Sequence, residues 1–308
     1  YYNRGLLKQE SLSIGGLSYP FDLIRDAHGN LATQGYPGGA TVGMFPNALG
    51  QPTQLGPYAT GVSHHPNGAI AGYTLGNGVV HSVSQNTRGL PLVWRDSGVI
   101  QDQYTYDPNG NVTAIADQQA SGATSRTMGY DGLDRLTTAN GAWGAGSYAY
   151  DPLDNLRLST VGSRTLNHLF DANNRMSGVS GAINISLGYD ANGNMNLRDP
   201  QAFNFDIGNR LSSATGKASY LYDGLGRRTK LTYADGTTKL QIYSQAGKLL
   251  YSSHSTQGYT YHGYLGSQLI AEVNSLTGTS YAHTDALGSP VARTGGASAV
   301  VLSTTRYE

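Results

Sequence analysis

An all-β chain of consecutive antiparallel β-hairpins is encoded here on three grounds: its acid and amide usage, its glycine content, and a recurring aromatic–aspartate phrase. Of the 20 acidic residues 17 are aspartate, only Glu10, Glu272 and Glu308 are glutamate, and 20 asparagines stand beside them. Glutamate favours helices, whereas aspartate and asparagine bond their own backbone and favour turns. Lysine, another helix former, numbers 5 against 15 arginines. Glycine supplies 42 of 308 residues, about twice its usual share. Many short strands joined by tight turns follow from this composition.

The same numbers exclude several classes. Basic and acidic side chains balance at 20 each, which leaves no electrostatic footprint for nucleic acid or for an anionic membrane surface. No apolar run approaches the ~18 residues that span a bilayer. Without cysteine there is neither a disulfide scaffold nor a thiolate metal site. With 22 tyrosines and 38% apolar residues the chain has material for a core, so disorder is excluded. The start Tyr1-Tyr2-Asn3-Arg4-Gly5 shows no leader and no methionine. The expectation is a fragment of a longer polypeptide.

The phrase itself is an aromatic, Asp, three variable residues, Asn or Arg, then an apolar residue. In chain order it reads Tyr106-Asp107 to Asn111-Val112, Tyr130-Asp131 to Arg135-Leu136, and Tyr150-Asp151 to Asn155-Leu156. It continues as Phe170-Asp171 to Arg175-Met176, Tyr189-Asp190 to Asn194-Met195, Phe205-Asp206 to Arg210-Leu211, and Tyr222-Asp223 to Arg227. A degraded copy, Tyr243 to Lys248-Leu249, has Ser244 in place of the aspartate. Successive aspartates lie 24, 20, 20, 19, 16 and 17 residues apart, a loose repeat.

Each position has a mechanical task. The aspartate starts a turn, its carboxylate accepting from the backbone N–H two residues on. Gly or Asn near the fourth position tolerates the positive φ of a tight hairpin. The aromatic ends the incoming strand, and the apolar residue begins the outgoing one. Aromatics two apart, at Tyr104/Tyr106, Tyr148/Tyr150, Phe203/Phe205, Tyr220/Tyr222 and Tyr259/Tyr261, share one sheet face and predict a cross-strand aromatic ladder. The predicted structural turn residues are therefore Asp107, Asp131, Asp151, Asp171, Asp190, Asp206 and Asp223. The structural aromatics are Tyr106, Tyr130, Tyr150, Phe170, Tyr189, Phe205 and Tyr222. A length of 308 residues gives on the order of thirty strands, too many for a flat open sheet, so a curved strip around a large space is expected.

At these residues the chain resembles the rearrangement-hotspot (Rhs), or YD-repeat, family. Tyr106-Asp107-Pro108-Asn109-Gly110-Asn111-Val112 and Tyr189-Asp190-Ala191-Asn192-Gly193-Asn194-Met195 are similar to its signature nearly letter for letter. His283-Thr284-Asp285-Ala286-Leu287-Gly288-Ser289-Pro290 resembles a second family phrase, departing from it at Ala286 and Ser289. Residues 101–308 carry clear repeats. Residues 1–100 read as divergent hairpins of the same strip, as at Asp26 to Leu31 and Tyr73 to Val79. The resemblance implies a segment of a hollow β-barrel or cocoon, as in bacterial polymorphic toxins, Tc toxin shells and teneurin barrels. Such a shell holds a C-terminal toxin or effector until delivery. It further implies partners in the rest of the same polypeptide, including the enclosed domain, with secretion-system or cell-surface components as further candidates. The implied location is secreted or at the bacterial cell surface after synthesis in the cytoplasm. The family's aspartyl self-cleavage region is not recognisable before Glu308, so no catalytic residue is carried over and the segment is expected to be no enzyme.

Single features of the sequence admit sharper readings. Asp107-Asn109-Asn111 and Asp190-Asn192-Asn194 mimic calcium-loop ligands, but lack the sixth-position glycine and twelfth-position glutamate. No metal or cofactor is expected. His64-His65 and the His283/Asp285 pair are read as structural. Trp94, Trp143 and the tyrosines offer either cross-strand packing or, alternatively, a glycan-binding or adhesive face. Gly15-Gly16 and Gly38-Gly39 precede no helix signal and are read as bends or bulges in the strip. A catalytic site inside the cavity is the weakest alternative.

Overall fold

A computed structural model describes residues 1–2, 5–119, 122 and 124–305. Among them are twenty-nine strands and no helix. The first four strands, Gln9–Ile14, Leu17–Arg25, Leu31–Gly35 and Thr41–Gly43, form a four-stranded antiparallel sheet of their own. From Ala59–His64 to Val301–Thr304 strand order is chain order, hairpin after hairpin.

The phrase sets the register of these hairpins. In successive repeats Tyr130 pairs with Leu136, Tyr150 with Leu156, Phe170 with Met176, Tyr189 with Met195 and Phe205 with Leu211. Pairing shifts immediately before each of these aromatics. This is the bulge that accompanies a three-residue hairpin loop whose last residue is left-handed. At the opposite ends two-residue turns suffice, as where Val161 pairs with Arg164. The glycine pairs are turns rather than bulges. Ile14 pairs with Leu17 across Gly15-Gly16, whose φ values of 60° and 78° only a mirror-image turn requires. Gly39 donates its N–H to the Tyr36 carbonyl and Tyr36 its N–H to the Ala40 carbonyl, a three-residue loop in which Gly38 and Gly39 take positive φ.

Backbone contacts divide the chain into two compact units along other lines than repeat quality. One comprises the chain up to Gln101, Asp223–Lys230, and the chain from Thr237 on; the other comprises Asp102–Tyr222 with Leu231–Gly236. The first unit carries the deep core. Leu55, Ile270 and Ala271 are wholly buried there, with Ile242 and Leu265 at 1% exposure and Phe21, Tyr36, Tyr73 and Tyr281 packed around them. Each large side chain of this kind contributes roughly 1.5–3 kcal/mol when fully buried. The second unit is thin. Strands Gly144–Tyr150 and Arg164–Phe170 each bury a single residue, and Leu158, Leu169 and Leu221 stay exposed. Packing alone holds this unit weakly, which shifts weight onto its turns.

Candidate functional site

The turns share one hydrogen-bonded cassette. At Asp131 the backbone N–H donates to the Arg135 carbonyl, while the Asp131 carbonyl accepts from Asp134 N–H. Carboxylate Oδ1 accepts from the N–H of Leu133 (2.9 Å) and of Arg135 (3.1 Å), and Oδ2 accepts from Arg135 Nε (2.8 Å). Asp151, Asp171, Asp190, Asp206 and Asp223 repeat this scheme, with Asn or Arg Nε at the fifth position. Asp107 bonds the N–H groups of Gly110 and Asn111. Ser244 Oγ accepts from Lys248 N–H instead, and Asp26 and Asp285 build the same turn outside the seven aromatic–aspartate copies. The fourth residue is left-handed throughout: Gly110, Asp134, Asp154, Asn174, Gly193, Asn209 and Gly226.

These bonds set the electrostatics. Side-chain bonds from the fifth residue hold the carboxyls of Asp107, Asp131, Asp151 and Asp190 below the usual carboxylate range. At Asp171 and Asp206 the fifth backbone N–H contributes most to the same lowering. Burial pushes Asp223 up, but the N–H and guanidinium of Arg227 outweigh it.

A link that local reasoning missed joins one turn to the next. In four repeats, those followed by a turn with Asp or Asn at its fourth position, the fifth residue reaches that residue's side chain. Asn111 donates to Asp134 (2.7 Å), Arg135 to Asp154 (2.7 Å), Asn155 to Asn174 (2.7 Å) and Asn194 to Asn209 (2.9 Å). The repeat aromatics add a second link. The hydroxyls of Tyr130, Tyr150, Tyr189 and Tyr222 donate to the carbonyls of Val112, Leu136, Met176 and Leu211, the residues that open the preceding outgoing strands. The expected ring-on-ring ladder takes a different form here. Arg135, Arg157, Arg175 and Arg210 lie over Tyr150, Phe170, Tyr189 and Tyr222 at 4.7–5.3 Å. A cation over a ring face satisfies charge and ring together. Ring pairs do occur at Tyr104–Tyr106 and in the cluster Tyr251, Tyr259 and Tyr261. Phe205 takes its place through its pairing with Leu211. Asn109 and Asn111 both point amide nitrogen, not oxygen, at Asp134 Oδ1, the wrong polarity for a cation loop.

The second constellation is buried in the first unit. Asp96 accepts from His81 Nδ1 on Oδ1 (2.6 Å) and from His283 Nδ1 on Oδ2 (2.8 Å). Burial pushes the Asp96 carboxyl up, yet the two imidazole bonds win and hold it below its ordinary value. It is thus a carboxylate, and both Nδ1 atoms must carry hydrogens. His283 Nε2 then accepts from the Thr294 hydroxyl (2.8 Å), and Thr294 Oγ1 in turn accepts from Asn77 Nδ2 (2.8 Å). Tyr73 stacks on His81 at 4.4 Å, and Trp94 meets its edge at 4.9 Å. His81 Nε2 and Trp94 Nε1 are buried without a hydrogen-bond partner. His283 therefore bonds Asp96, 187 residues away, rather than Asp285, which caps its own turn. His65 bonds the Val83 carbonyl, and Trp143 packs over Gly141.

A parallel line runs from Ser252 to His262 Nε2 (3.1 Å) and from His262 Nδ1 to Glu272 (3.0 Å), with Arg293 paired to the same glutamate. Hydroxyl, imidazole and carboxylate stand here in the order of a hydrolytic triad. Thr294 is wholly buried, however, and Ser252 is 8% exposed. Burial, then the charges of Lys239 and Arg293, hold His262 down at about 4, far from a base poised near neutrality. Among the described residues no group of three or more acidic or imidazole side chains is arranged to hold a metal.

No family model and no curated protein matches the chain. Solved structures do. The TcdB2-TccC3 crystal structure aligns over 97% of this chain with TM-score 0.77 and 16% identity, and TcdB2-TccC3-Cdc42 aligns over 97% with TM-score 0.75 and 17% identity. A Photorhabdus luminescens Tc holotoxin pore aligns over 94% with TM-score 0.57 and 15% identity. The chain has the fold of a segment of TcdB2-TccC3. It spans about a fifth of those chains, 20% and 19% of their lengths. The cassette, repeated turn after turn and linked forward at four of them, is how this sequence builds that fold.

Proposed function

We propose that this chain is a wall segment of a YD-repeat shell that encloses a C-terminal toxin or effector until delivery. The observation that carries the reading is the agreement of fold with TcdB2-TccC3 over nearly the whole chain. The cassette supports it physically, because its side chains close every turn in the same way and at four places join one turn to the next. A wall needs such uniform joints; a catalyst needs one exception among them. The two hydroxyl–imidazole–carboxylate lines serve as buried cross-braces in this reading, and the segment acts without catalysis. The protein works after export, secreted or at the bacterial cell surface, and its chief partner is the remainder of its own polypeptide.

The test uses the natural full-length polypeptide, purified without denaturant and weighed by mass spectrometry before and after mild proteolysis. A C-terminal fragment that co-purifies and resists protease only while the repeats are folded is the expected result. Immediate digestion of everything outside the repeats overturns enclosure. Saturable binding of the intact protein to cell-surface glycans would then favour an adhesive role.

A further inference from the structure

Three of the eight histidines, His81, His262 and His283, are 7% exposed or less. All three lie in the unit that contains residues 1–101 and the strands after Thr237. Each stands where those two stretches meet. His283 bonds Asp96 across 187 residues, and the His262 carbonyl accepts from the Tyr36 hydroxyl across 226. His81 shares Asp96 and lies against Tyr73, whose hydroxyl accepts from Gln268. We propose that this seam is an acid-sensitive latch, closed while His262 is neutral and opened when His262 takes up a proton.

The groups facing each imidazole define the direction. His283 faces Asp96 and Thr294; His81 faces Asp96, Tyr73 and Trp94. His81 Nδ1 is committed to Asp96, and its Nε2 is buried with no hydrogen-bond partner. His262 faces Ser252 and Glu272, with Lys239 and Arg293 acting on it as positive charges. Burial and those two cations lower it from 6.5 to about 4. A base depressed in the closed state stabilises it fully above its free value, and the contribution fades as pH falls toward the depressed one. The window therefore runs from about 6.5 down to about 4. The latch concerns folding within one unit and stands whether or not the shell reading holds.

Hydrogen exchange of this chain followed by mass spectrometry, at pH 7.5 and 5.0 with times rescaled for intrinsic exchange, tests it. Peptides over 80–96 and 279–295 are expected to lose about thirtyfold protection at pH 5.0 from His262 linkage alone. Peptides over 144–181 should keep theirs. In His262→Gln that loss should disappear. Unchanged protection of 80–96 and 279–295 at pH 5.0, or equal loss over 144–181, overturns the latch, and the unsubstituted chain alone decides this even if the variant fails to fold.

Discussion

In the turn that begins at Asp223, the carboxylate accepts from Leu225 N–H and Arg227 N–H while the guanidinium of Arg227 closes on its other oxygen. Its side chain is 8% exposed, so the bonds have little competition from water. Asp223→Ala should cost about 0.5–2 kcal/mol, as loss of a helix cap does; thermal melts check this, and an unchanged midpoint refutes the capping role. The fourth position obeys a different rule. Gly193 has φ of 86° with open space where a Cβ would go, and asparagine occupies the same conformation at 174 and 209. Gly193→Asn should therefore be nearly neutral, whereas Gly193→Val should lose roughly 1–2 kcal/mol, the strain of a left-handed branched residue. Both the aspartate and the fourth-position preference are legible from one turn's chemistry. The forward reach of Asn111, Arg135, Asn155 and Asn194 is not, because their partners belong to the next turn.

At the scale of strands, register follows from the turns, and alternation of aromatics places the rings on one face. The face's contacts were less predictable. Period two says that Tyr148 and Tyr150 share a side, but not that Arg135 lies over Tyr150 at 4.9 Å. Strand packing also divides the chain by consequence. Ile270→Ala, in the strand Gln268–Asn274 at 0% exposure, should cost roughly 2–5 kcal/mol. Leu158→Ala, already 37% exposed, should cost far less. Denaturant melts of the two variants separate the cases, and equal losses would contradict the thin character of the second unit.

At the scale of the molecule, the buried imidazole network lies beyond sequence reading because nothing local ties His283 to a residue 187 positions earlier. The nearby Asp285 was the plausible partner and is instead a turn residue. His262, in the parallel line, and the turn carboxylates give the acid response two separable arms. The turn carboxyls lie below their ordinary 3.8, so their stabilisation is complete above that value and declines only beneath it. The His262 contribution is already lost between about 6.5 and 4. Stability measured from pH 7.5 to 2.5 should therefore fall in two stages, the first removed by His262→Gln and the second untouched. A single transition below pH 4 in the unsubstituted chain would refute the assignment.

The joint between turns has a genetic corollary. Where the fourth residue carries a side chain, the fifth residue of the preceding turn donates to it, so Asn and Arg donors are interchangeable against Asp and Asn acceptors. Excision of residues 131–150 would bring Asn111 against Asp154 and leave no side chain stranded. A gene encoding such joints can gain or lose whole repeats by recombination and still specify an unbroken row, so length becomes a variable that selection can adjust one hairpin at a time.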